Sequence, residues 1–117
     1  MPKYAALIYG TEGEPRERSD PESQKVWQAY MAYTEDVQKS GILRGGEGLM
    51  PTATATTVRV KDGQVLTTDG PFAETKEQLG GFYLFECKDL DEAIAWAARI
   101  PGCQWGGSIE LRPVIEM

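Results

Sequence analysis

The sequence predicts an α+β fold: a ferredoxin-like subunit with an inserted β-hairpin. Three features point there. Amphipathic helical stretches alternate with short β-rich runs in the order strand, helix, strand, hairpin, strand, helix, strand. Asp62-Gly63 stands between β-branched runs and marks a tight hairpin turn. The runs that begin at Lys3 and Gly81 are apolar on both faces, as expected of strands covered on both sides. At 117 residues the chain is read as one domain, residues 1–117.

The first strand is Lys3 to Tyr9, with Tyr4, Ala6 and Ile8 on one face and Ala5, Leu7 and Tyr9 on the other. The polar loop TEGEPRERS follows. Asp20-Pro21 then opens a helix, with Asp as N-cap and Pro at the first helical position. This helix is expected to run to about Ser40 and to stop at Gly41. Val26, Tyr30, Tyr33 and Val37 form its core stripe, flanked by Trp27 and Thr34. Ile42 to Leu49 is a short strand whose Gly45, Gly46 and Gly48 suggest a bulge or a close backbone approach. The Asp62-Gly63 turn sets the hairpin register: Val60 opposite Val65, Val58 opposite Thr67, Thr56 opposite Asp69. Gly81 to Cys87 is the next strand. Asp89 and Glu92 read as a capping box for a second helix with the stripe Leu90, Ala93, Ile94, Ala97 and Ile100, ended by Pro101-Gly102. A last strand runs from Ser108 to about Ile115. Helices can cover only one face of such a sheet, so a second copy of the chain is expected on the other, giving a two-fold homodimer packed sheet to sheet.

Composition narrows the functions. A net charge of −6 with no cluster of Lys or Arg speaks against nucleic acid as partner. No apolar run approaches the roughly 18 residues of a membrane span, and the N-terminus does not read as a signal peptide, so a cytoplasmic location is the default. Cys87 and Cys103 lack CxxC spacing and read as reduced, buried thiols. Histidine is absent, which removes Ser/His and Cys/His nucleophiles, the usual zinc sites and a histidine base. No metal-ligand spacing or phosphate loop is present, so neither a metal nor a cofactor is expected.

The most site-like stretch is Thr68 to Gly81, TDGPFAETKEQLGG. Asp69 heads it, either as a turn cap that accepts a backbone N–H from Phe72 or Ala73, or as a general base or anchor at a pocket mouth. Phe72 reads as an apolar peg that anchors the loop. Glu74, Lys76 and Gln78 would share one face if extended and so clamp a polar ligand, but would scatter in a helical turn. Glu47, among glycines, is a second candidate base. Tyr30 and Tyr33 are core residues or, if the helix roofs a cavity, the polar points of an apolar wall. Trp105, followed by Gly106-Gly107, is the tryptophan expected to be exposed.

Several segments together carry a family likeness: KYAALIYG, KSGILRGGEGLMP, TATTVRVKDGQVLTTDGPFAETKEQLGGFYLFE, DLDEAIAWAARIP and IELRPV. In these the chain resembles the YCII-related, DGPF-domain family. The resemblance implies a dimeric α+β barrel of ferredoxin-like subunits. It also implies small enzymes among the relatives that use a His-Asp pair, including a dehydrochlorinase-like activity on chlorinated aromatic rings. This chain has no histidine; the histidine's place falls near Tyr30, counted from Gly41. Genes of DGPF members often lie beside extracytoplasmic-function sigma factors, which implies a regulatory context. The expected function is a small-molecule-binding or regulatory module. The alternatives are a cofactor-independent isomerase or lyase with a carboxylate base, Asp69 or Glu47, and an interaction subunit associated with a sigma factor.

Overall fold

The structure is a computed structural model of the chain and describes residues 1–13 and 20–116; most of the polar loop after the first strand lies outside the described residues. Strands β1 (Lys3–Gly10), β2 (Leu43–Gly48), β5 (Gln78–Glu86) and β6 (Ser108–Pro113) form an antiparallel sheet in the order β2-β5-β1-β6. Strands β3 (Thr56–Lys61) and β4 (Gln64–Asp69) form a separate two-stranded hairpin between β2 and β5. Helices α1 (Pro21–Lys39) and α2 (Leu90–Ala98) and the short α3 (Pro101–Gln104) complete a mixed α+β architecture.

Local chemistry accounts for the element ends. The Asp20 carboxylate accepts the Glu22 N–H at 3.0 Å and caps α1, and Gly41 turns the chain at φ +84° after it. Asp89 accepts the Glu92 N–H at 2.9 Å, while the Glu92 carboxylate reaches back to the Lys88 N–H at 3.1 Å. In the hairpin Asp62 and Gly63 both take positive φ, as a tight turn with the twist of its strands requires. The register is the one the turn dictates, with Val60 opposite Val65 and Thr56 opposite Asp69. Pro101-Gly102 does not simply end the second helix: Ala98 is its last residue, and Pro101 starts α3 as a first-turn proline.

The core lies between the helices and one sheet face. Tyr4, Ala6, Tyr33, Val37, Tyr83, Phe85, Cys87, Ala93, Ala97 and Ile100 are buried there. Tyr33 donates to the Trp96 carbonyl at 2.7 Å and meets the Tyr83 ring edge-on at 5.3 Å. Arg99 stacks on Trp96 at 4.6 Å and pairs with Asp36 at 2.8 Å, tying α2 to the C-terminal half of α1. The second helix buries Ala93 and Ala97, while Leu90 and Ile94 stay half exposed. The small alanines let the helix lie close to its neighbours and leave the bulkier residues at its flanks. Cys103 is exposed rather than buried, being carried on α3 at the surface; Cys87 is buried, and both thiols are free.

The core stripe of α1 is buried only in its C-terminal half. Tyr33 and Val37 are covered, but Val26 is exposed, as are Trp27 and Met31 beside it. The cause is the sheet beneath. Alternate residues of β5 face the helices, and from C- to N-terminus these are Phe85, Tyr83 and Gly81. The neighbouring strand sets Gly46 opposite Tyr83 and Gly48 opposite Gly81. Under the N-terminal half of α1 the β2–β5 pair therefore presents no side chains at Gly48 and Gly81, and the side chain beside them is that of Ile8 on β1.

Candidate functional site

That missing layer is a cavity of about 940 Å³, the size of a small-molecule site. Gly46, Gly48 and Gly81 make its floor, and Trp27, Tyr30, Met31 and Thr34 of α1 its roof. Ile8 and Tyr9 of β1 line it, as do Gly102, Trp105, Gly106 and Gly107. Two of the floor glycines, Gly46 and Gly81, are required by close approach. A Cβ on Gly81 would stand 2.8 Å from the Glu47 carbonyl oxygen, and one on Gly46 would stand 2.6 Å from that of Phe82. A bulge between Leu43 and Gly45 brings β2 into this position.

Tyr30 accepts the Gly102 N–H at 3.0 Å, so its own proton is left to point elsewhere. Burial pushes its hydroxyl above the ordinary tyrosine range, an effect the Gly102 N–H partly offsets. Thr34, one turn along, shares a 2.8 Å hydrogen bond with the Tyr83 hydroxyl, whose pKa burial also raises. Whichever of the two donates, one proton remains, and among the described residues no acceptor of the chain is seen to take it.

The rim is braced by a polar strap. The Glu12 carboxylate accepts the Thr52 N–H and hydroxyl, each at 2.8 Å. The Glu12 N–H donates to the Gln78 side-chain oxygen at 2.9 Å, and the Gln78 amide donates to the Thr75 carbonyl at 2.6 Å. Through Gln78 the segment between β4 and β5 is joined to the cavity wall.

Among the residues singled out from sequence, the fold brings Tyr30, Gln78 and Glu47 to this cavity. Glu47 pairs with Phe82, on the sheet face turned away from α1, so it borders the cavity rather than entering it. Tyr33 sits in the core beyond the cavity, hydrogen-bonded to Trp96. Asp69, Glu74 and Lys76 are exposed and do not line it. The turn after Asp69 is held by the Gly70 N–H to the Ala55 carbonyl, 2.7 Å, and by the Thr57 hydroxyl to the Gly70 carbonyl, 2.8 Å. Lys76 and Glu77 form a bend, Glu74 and Thr75 have no regular structure, and Gln78 begins β5, so no helical turn forms there. Phe72 is 78% exposed, so among the described residues it is not the buried apolar peg expected of it. Trp105 is exposed, at the cavity mouth.

The glycine floor, Trp27, Met31, Glu12 and the Thr34–Tyr83 pair had not been singled out as site residues. Two glycine clusters on strands that become neighbours, GGEG and LGG, were the available signal. Each is ambiguous alone; paired, they leave a hole. Among the described residues no cluster of metal-ligating side chains occurs, and no helix is long and apolar enough to cross a membrane.

The sequence matches the YCII-related domain across residues 3–117, essentially its whole length. The chain belongs to the YCII-related family. It is also similar to an uncharacterized protein of Rhizobium meliloti (strain 1021), at 39% identity over 112 residues, which span 95% of this chain and 90% of that one. In this YCII-related chain the cavity is roofed by α1 and floored by glycine.

Proposed function

We propose that the protein is a small-molecule-binding or regulatory module whose ligand lies between α1 and the glycine floor, and that it works as a homodimer. The observation that carries the binding reading is the 940 Å³ cavity, with aromatic side chains above and bare backbone below. Binding is favoured over carboxylate catalysis because no Asp or Glu is buried among the described residues. A carboxylate base needs a dry setting to be raised toward neutral pH.

The dimer reading rests on the other sheet face. Its central strands carry Leu7, Ala5, Phe82 and Leu84, and its edge strands carry Glu47, Glu110 and Arg112 in the same rows. An apolar centre inside a charged rim is the anatomy of a protein interface. The hairpin adds exposed Val58, Val60, Val65 and Leu66. The strand order β2-β5-β1-β6 is the one a ferredoxin-like subunit would have. Two such sheets packed face to face would make an α+β barrel.

Native mass spectrometry of freshly purified protein tests both parts. A dimer carrying a stoichiometric small molecule that dissociates on mild activation is expected. A bare monomer at micromolar concentration, with no probe bound in a subsequent ligand screen, would overturn the proposal.

A further inference from the structure

We infer that the cavity selects a neutral, planar ring system carrying a carbonyl-type acceptor, and that it discriminates against the same skeleton bearing a carboxylate. The inference rests on the binding reading above and adds the ligand's chemical class. Three observations lead to it.

The first is shape. The floor at Gly46, Gly48 and Gly81 is peptide backbone without side chains, and the roof is the ring-bearing face of α1. A slot between a flat strand pair and aromatic rings suits a flat ligand, which gains contact on both faces.

The second is hydrogen bonding. The Tyr30 hydroxyl already accepts from Gly102, and the Thr34–Tyr83 pair uses one of its two protons internally. The hydroxyl protons left over are donors. Residues 30 and 34 stand one helical turn apart on one face, with Cβ atoms roughly 6 Å from each other. The roof therefore offers donors to an acceptor on the ligand. A tyrosine hydroxyl is protonated at neutral pH, and burial raises these two further from ionisation.

The third is charge. Glu12, Glu35 and Glu47 border the cavity, and no Lys or Arg lines it among the described residues. The whole chain carries −6. Among the described residues a carboxylate entering this slot would leave water without meeting a cation, and it would approach a negative rim. A carbonyl oxygen takes the same donors without that cost.

Three naphthalene probes separate the possibilities at pH 7.5: 2-acetylnaphthalene, 2-naphthoate and 2-ethylnaphthalene. Binding is read from the indole N–H resonances of Trp27 and Trp105, at the cavity, with Trp96, outside it, as internal reference. The acetyl probe is expected to bind at least tenfold more tightly than the carboxylate, and several-fold more tightly than the ethyl probe. Tyr30→Phe and Thr34→Val should each reduce the acetyl-over-ethyl preference while leaving the ethyl probe's affinity in place. Glu47→Gln should improve naphthoate more than either neutral probe. Equal or tighter binding of naphthoate overturns the ligand class while leaving the cavity as a binding site. Failure of all three probes to move Trp27 or Trp105 overturns the binding reading as well. Because Tyr30 supports Gly102, Thr34→Val is the arm that keeps the donor argument refutable if Tyr30→Phe misfolds.

Discussion

Replacing Gly48 by leucine should stabilise the fold and abolish ligand binding at once. Gly48 faces the cavity beside Gly81, and a Cβ there meets nothing within 4 Å. Its φ does not lie in the left-handed region, so a leucine needs no backbone strain. Full burial of a leucine side chain is worth about 2 kcal/mol, and the open mouth allows roughly half of that. Removing a glycine from a strand adds about 0.7 kcal/mol by constraining the unfolded chain. Fixing the leucine rotamer costs about 0.7 kcal/mol. The balance is a gain of about 1 kcal/mol, which raises Tm by about 4 °C for a chain of this size. Thermal unfolding by circular dichroism measures the first effect, and titration with 2-acetylnaphthalene the second. The expected result is a higher Tm with binding weakened at least tenfold. A lower Tm would refute the free space assigned to Gly48, and a higher Tm with unchanged affinity would show that the space beneath α1 is not where the ligand sits.

Alkaline pH should destabilise the protein more steeply than its surface charge alone would. Tyr33, Tyr30 and Tyr83 have pKa values raised above 10.0, and Cys87 above 9.0, in each case first by burial. In the unfolded chain these groups lose protons at lower pH than in the fold, so their contribution is intact below about pH 9 and is lost as pH rises through the folded values. Melting curves between pH 7 and 11, with phenolate absorbance recorded in parallel, should show these tyrosines ionising together with unfolding; ionisation of all the tyrosines well before unfolding would contradict the buried hydroxyl network. The cysteines should divide as cleanly: under native conditions a thiol reagent should modify Cys103 quickly and Cys87 only after denaturant is added, and rapid loss of both would mean that the core opens readily.

Features written in short stretches were legible in the sequence. The Asp20-Pro21 and Asp89–Glu92 caps fixed the helix starts, because capping involves residues within a single turn. Asp62-Gly63 determined every pairing in the hairpin, since the turn alone sets the register. The different fates of Tyr30 and Tyr33 were not legible. Both sit on one helical stripe, and only the long-range pairing of β2 with β5 decides which lies over side chains and which over bare glycine. The same holds for Asp69 and Phe72. Their local sequence looks like a site, but the hairpin and loop carry them away from the chain's own cavity.

The glycine floor also sets how this cavity can drift over generations. Within the β2–β5 pair, Gly46 and Gly81 cannot gain a side chain without pushing the strands apart, whereas Gly48 can accept one freely. Mutation can therefore close the slot gradually from a single point, and cannot enlarge its floor, which is already bare. If the cavity binds as proposed, its selectivity is most freely rewritten in the roof, at positions such as 27, 30, 31 and 34, where one helix face can be re-lettered without moving the strands beneath it.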